Sequence, residues 1–277
     1  MKKFLNFTGG FIILMGLFSS PAATIAQNKE DFKREQFIRN NDTLNYRILY
    51  PKDFSEEEKY PVMLFLHGAG ERGSNNESQL VHGSSLFLKE ESRNRFPAIV
   101  IFPQVPKDDY WANVEVNRDS FPLQFKFKNL EAPTTSMKMA ISLMDSVTQQ
   151  KFVDQNRVYV GGLSMGGMGT FEILSRKPKM FASAFAICGA ADPAVIDKYK
   201  EDLEIWIFHG EQDNVVPPEF SKMMAREINS SGRDAKLSLY PEDNHNSWDS
   251  ALAEPYLLPW LFSKSLINKH EIEKNEE

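Results

Sequence analysis

The sequence of 277 residues predicts an α/β fold: a mostly parallel central sheet covered by helices on both faces, in three α/β/α layers. Three observations predict it. Short apolar runs alternate with longer segments of helical periodicity, the pattern of βαβ units. The runs are nearly continuous in apolar residues, as strands buried on both faces require. A glycine cluster, 161–167, joins one run directly to a helical pattern.

The strands read in order as 44–50, 62–66, 98–102, 157–160, 181–188, 203–208 and 237–240. Helices fit between them. Segment 136–149 carries apolar residues at Met139, Ile141, Leu143, Met144 and Val147, and 165–175 follows the glycines. Segment 218–230 has proline near its start, a favoured helix opening, and 255–267 reads as a closing helix. Segment 104–135 shows no clear period, yet holds Tyr110, Trp111, Phe121, Phe125 and Phe127. A long irregular stretch after a strand emerges at the carboxyl edge of the sheet, where ligands bind. It reads either as a lid or substrate wall, or as a packed excursion with its own small core.

Composition sets the class. Hydrophobic residues make up 42% and charged residues 25%, ordinary for a globular chain, and the net charge of −6 comes without a basic stripe. Nucleic acid is therefore not an expected partner. At the start, Lys2 and Lys3 precede an apolar run over 11–18 and a small-residue end at Thr24-Ile25-Ala26. That is a secretory signal, 1–26, expected to be cut after Ala26, leaving no stable membrane insertion. The expected location is periplasmic or extracellular. Residues 27–267 then form a single α/β domain, and 268–277 a charged tail. The single cysteine, Cys188, can form no internal disulfide and lies in an apolar run, so it is expected to be buried packing.

The chemistry centres on Gly162-Leu163-Ser164-Met165-Gly166. A strand pattern precedes it and a helix pattern follows. A sharp strand–turn–helix of this kind presents a serine at a helix N-terminus. The cluster lacks both the Gly-Lys-Ser/Thr ending of a phosphate loop and a correctly spaced Gly-x-Gly-x-x-Gly. A serine hydroxyl needs a base, and in such chains the acid and then the histidine follow the serine. Of five histidines, His67 and His82 precede Ser164, His270 lies in the tail, and His209 ends a strand. His245, on a polar loop after the last strand, is the candidate base. Asp213, on the loop after 203–208, is the candidate acid; Glu211, Asp243 and Asp192 are alternatives. Oxyanion donors are expected from the backbone N–H of Met165 and from Ala69, with Gly70 as the alternative, in the loop after 62–66. Trp111 and Trp248 are candidate substrate contacts. The histidine spacing shows no zinc pattern, so neither metal nor organic cofactor is expected.

Together, His67-Gly68-Ala69-Gly70-Glu71-Arg72-Gly73, Gly161 to Gly167, His209-Gly210 with Asp213 and Val216-Pro217, and His245-Asn246-Ser247-Trp248 resemble the phospholipase/carboxylesterase-like α/β-hydrolases. That group includes dienelactone-hydrolase-like proteins and secreted feruloyl and acetylxylan esterases, and the resemblance covers 44–266. It implies the α/β-hydrolase fold, a triad of Ser164, Asp213 and His245, and oxyanion donors at Ala69 and Met165. The implied reaction is hydrolysis of a small-molecule or polysaccharide-linked carboxylic ester through an acyl-serine. Dienelactone hydrolases carry cysteine at the nucleophile position; this chain has Ser164. Two other readings share the same residues: a serine peptidase or aminoacyl-ester hydrolase, and a non-catalytic exported binding protein.

Overall fold

A computed structural model describes residues 28–119 and 121–266. The signal 1–26 and the tail 268–277 lie outside the described residues.

Ten strands form in chain order: β1 Lys33–Arg39, β2 Asp42–Leu49, β3 Tyr60–Leu66, β4 Ile99–Gln104, β5 Val114–Asn117, β6 Gln124–Phe127, β7 Val153–Leu163, β8 Ser183–Ile187, β9 Glu204–Gly210 and β10 Asp234–Tyr240. The helices are α1 Ser84–Leu88, α2 Glu90–Arg95, α3 Thr135–Thr148, α4 Met165–Arg176, α5 Glu219–Ser230, α6 Trp248–Ala253 and α7 Leu257–Phe262.

Eight strands make one sheet, ordered β1-β2-β4-β3-β7-β8-β9-β10. Strand β2 runs antiparallel to both neighbours, and every other pairing is parallel. Period-two geometry sends alternate residues of β3 to opposite faces. Val62, Leu64 and Leu66 join a core with Met137 and Leu143 of α3, Phe171 of α4 and Ile228 of α5. Met63 and Phe65 join a second core with Phe87 of α1, Ala251 of α6 and Leu261 of α7. Both faces are covered, which is why β3 reads as a continuous apolar run.

The short helices α1, α2 and α6 were not read from the sequence, and three further differences bear on the fold. Strand β1 is an added edge strand, almost wholly exposed, so no apolar run marks it. The closing helix is shorter than 255–267: α6 ends at Ala253 and α7 opens at Leu257. Glu254, held extended ahead of Pro255, separates them, because proline disfavours helical backbone in the residue before it. Segment 104–135 holds the antiparallel pair β5–β6. Its apolar sides, with Phe125 and Phe127, pack on a third small core of Ala112, Met168, Ala190 and Val216.

Candidate active site

Strand β7 ends at Leu163 and α4 starts at Met165, so Ser164 alone makes the turn, with φ of 53°. A non-glycine residue there is strained, and the strain is held by close packing on either side. A Cβ at Gly162 or Gly166 would run into the Leu66 carbonyl. The Ser164 N–H donates to the Ile187 carbonyl at 2.8 Å, which fixes the turn against β8. Its hydroxyl is left at the carboxyl edge of the sheet, half-buried.

His245 lies on the loop between β10 and α6. Its Nε2 is 3.0 Å from Ser164 Oγ, and its Nδ1 is 2.7 Å from Asp213 Oδ2. A carboxylate only accepts, so Nδ1 carries the proton and donates, leaving Nε2 as the acceptor for the serine hydroxyl. Asp213, buried on the loop after β9, is fully engaged. Its Oδ1 accepts from the N–H groups of Val215 at 2.8 Å and Val216 at 3.0 Å. Its Oδ2 also accepts from His209 Nε2 at 3.1 Å. Burial alone would raise this carboxyl. The hydrogen bonds from His209 and His245, with the imidazole charge and the Val215 N–H, outweigh it and hold Asp213 well below the usual carboxylate range. Glu211 and Asp243, the nearby alternatives, are not hydrogen-bonded to His245 among the described residues; Asp192 caps its own helical turn through Ala194 N–H.

Ala69 sits on the loop after β3, lining the same cleft as Ser164 and His245. Arg72 braces this loop: Nε donates to the Ala69 carbonyl at 3.1 Å, and Nη1 to the carbonyls of Lys107 and Asp109. Met165 is the first residue of α4, where a backbone N–H has no partner within the helix. Its side chain is buried. Beneath the loop, His67 is fully buried, with Nδ1 donating to the Gly68 carbonyl at 2.6 Å and Nε2 accepting from Val105 N–H at 3.0 Å. Burial lowers its imidazole to about 4.

The two tryptophans part company. Trp248 lines the cleft and meets the His245 ring edge-on at 5.5 Å. Trp111 does not line it, which corrects the sequence expectation. It is fully buried, its indole N–H donates to the His67 carbonyl at 3.1 Å, and it packs where Gly169 has no side chain. Aromatic character was legible, but not the direction of the ring.

The cleft has a volume of about 210 Å³. One wall is polar, with Glu71 and His82 at 3.8 Å beside Trp248. The other is apolar, with Met168, Val215, Val216, Leu123 and Phe125. A larger groove of about 530 Å³ lies by the opposite end of β7, around Gln155 and Arg176, remote from these groups. Sequence reasoning read 104–135 as either a substrate wall or a packed excursion but missed the β5–β6 strand pair within it. The alternation Val114-Glu115-Val116-Asn117 and Gln124-Phe125-Lys126-Phe127 was the available signal. Cys188, Asp213 and His245 offer donor atoms within 4.8 Å of one another, the one such group among the described residues. Asp213 and His245 are already hydrogen-bonded to each other, and burial pushes the Cys188 thiol up, away from the thiolate a metal needs.

The fold and the cleft define a hydrolase of the α/β type. A family model described as Phospholipase/Carboxylesterase matches residues 54–255. The chain therefore belongs to the phospholipase/carboxylesterase family. A thermostable esterase of known structure superposes with a TM-score of 0.76 at 30% identity, over 85% of this chain and 64% of that one. Mouse (Mus musculus) lysophospholipase-like protein 1 is 22% identical over 211 residues, 73% of this chain and 86% of the mouse protein. The bifunctional acetylxylan esterase/xylanase XynS20E of Neocallimastix patriciarum is 30% identical over 186 residues, 67% of this chain but only 23% of that protein.

Proposed function

We propose that the chain is an exported serine hydrolase that cleaves carboxylic esters through an acyl-serine intermediate. The observation that carries this reading is the hydrogen-bonded series from Asp213 through His245 to Ser164, at 2.7 and 3.0 Å. In the reaction, His245 Nε2 takes the hydroxyl proton as Ser164 Oγ adds to the ester carbonyl. The N–H groups of Ala69 and Met165 hold the oxyanion. Collapse breaks the bond to the alcohol, which leaves with the proton from His245. Water, deprotonated in turn by His245, then adds to the acyl-serine; the acid departs and Oγ recovers the proton. Asp213 stays a carboxylate throughout, keeping the imidazole in the productive tautomer. Ester hydrolysis, rather than another acyl transfer, draws support from family membership and from the esterase among the structural relatives. The acetylxylan esterase similarity supports an acylated carbohydrate as substrate, and Trp248, the aromatic surface beside the base, suits a sugar or an aryl ester.

Exposure to a fluorophosphonate probe tests the chemistry. Wild type should be labelled at Ser164 and Ser164→Ala should not; folded wild type that stays unlabelled would rule out the activated serine. Export rests on the amino-terminal pattern of residues 1–26. It predicts a mature chain starting at Gln27, to be read by mass spectrometry of protein recovered outside the cytoplasm.

A further inference from the structure

We propose that Arg118 makes the cleft a site for esters that carry a second, anionic oxygen group, a carboxylate being the best match. The inference deepens the ester-hydrolase reading and rests on it.

Arg118 lies just past β5, at the tip of the β5–β6 hairpin, and lines the cleft that holds Ser164 and His245. Of the hairpin's other charges, Glu115 is shared by two lysines, and Asp119 is exposed next to Arg118. Glu115 faces Lys126 directly across the strand pair and forms ion pairs with Lys126 and Lys128. Arg118 forms no ion pair among the described residues. On the opposite side of the cleft, Glu71 already faces His82 at 3.8 Å. Arg118 is the permanent cation among the side chains lining the cleft, and no carboxylate among the described residues forms an ion pair with it.

That cation is not loose on the surface, although it is solvent-exposed. It lies near enough to Tyr110, which also lines the cleft, for its charge to bear on the phenol. The Tyr110 ring lies against the Arg72 guanidinium, 5.3 Å from its centroid. Arg72 is pinned by three backbone carbonyls, one of them in the Ala69 loop. Arg118 is thus seated on a platform fixed to the loop expected to hold the oxyanion. The same cleft is lined by the apolar side chains of Leu123, Phe125 and Met168. A guanidinium can hold a planar carboxylate through two parallel hydrogen bonds, a geometry matched less well by other anions. The fitting substrate has an apolar body, a scissile ester at one end and a negative charge at the other.

Matched esters test this. Mono-p-nitrophenyl succinate is paired with p-nitrophenyl butyrate for a charge on the acyl half. For a charge on the alcohol half, 4-acetoxybenzoate and 4-acetoxyphenyl phosphate are each paired with phenyl acetate. The readout is the ratio of kcat/KM, charged over neutral, in wild type, Arg118→Gln and Arg118→Glu, at low and high salt. In at least one pair the ratio should fall about tenfold in Arg118→Gln and further in Arg118→Glu, and high salt should lower it in wild type. A larger effect for 4-acetoxybenzoate or the succinate supports the carboxylate; an effect confined to the phosphate overturns that choice. Wild type that turns over the neutral esters with ratios indifferent to residue 118 overturns the inference alone. Wild type inert on every ester removes the ester-hydrolase reading, and this inference with it.

Discussion

Acid should unfold this protein through His67, a residue with no part in the proposed chemistry. Its Nδ1 proton is committed to the Gly68 carbonyl and its Nε2 lone pair to the Val105 N–H. Protonation would place a second N–H against that donor, in a site without solvent, and the imidazole is lowered from 6.5 to about 4. The folded state therefore refuses a proton that the unfolded chain accepts. The resulting stability is fully present above pH 6.5 and is lost as pH falls toward 4. At about 1.4 kcal/mol per unit, the loss across that window is about 3 kcal/mol, a large share of a domain's stability. Urea unfolding followed across the window, in wild type and His67→Gln, measures it. Glutamine costs some stability at every pH but does not titrate, so the wild-type curve should fall more steeply by about 3 kcal/mol overall. Parallel curves would refute the reasoning. Should His67→Gln not fold, the imidazole proton shifts of wild type serve instead: a His67 signal titrating near 6.5 would refute it equally.

Two further outcomes follow from the site. Asp213→Asn should leave the fold intact but cut kcat by about 10⁴, because an amide no longer selects the His245 tautomer. Glu172→Gln should raise KM more than it lowers kcat and destabilise the protein by about 1–3 kcal/mol. Buried Glu172 of α4 accepts from Asn113 N–H at 2.7 Å and Asn129 Nδ2 at 2.6 Å, and pairs with Arg176 at 2.8 Å, so its loss frees the base of the substrate wall; steady-state kinetics and thermal melts read both effects.

Legibility in the sequence followed burial. Strands β3, β4 and β8 were readable because each is buried along its whole length, so its residues are selected for apolarity at every position. Strand β1 was not, because an edge strand that meets the core only at half-buried Phe37 carries Lys33, Arg34, Glu35 and Gln36 without cost. The β5–β6 pair fell between the two cases: four residues per strand, alternately exposed and half-buried, give too short a pattern against a loop background. Ser164, His245 and Asp213 could be picked out because each follows a readable strand end, and the strand ends define one edge of the sheet. What could not be read was the environment of each: that His209 would serve Asp213 as a second donor, or that Trp111 would turn inward to the His67 carbonyl. These depend on side chains meeting across the sheet, and no local pattern encodes them.

The two ends of the cleft's hairpin, at Asn113 and Asn129, are tied by one carboxylate to the helix that begins beside Ser164. Between those ties the stretch packs on the small core of Met168 and Val216 and pairs with no strand of the main sheet. The stretch can change length, charge or shape as an interchangeable cassette while the reacting hydroxyl stays where it is. In a scaffold of this kind, what is cut is decided by the sheet, and which molecule is admitted is decided by the cassette.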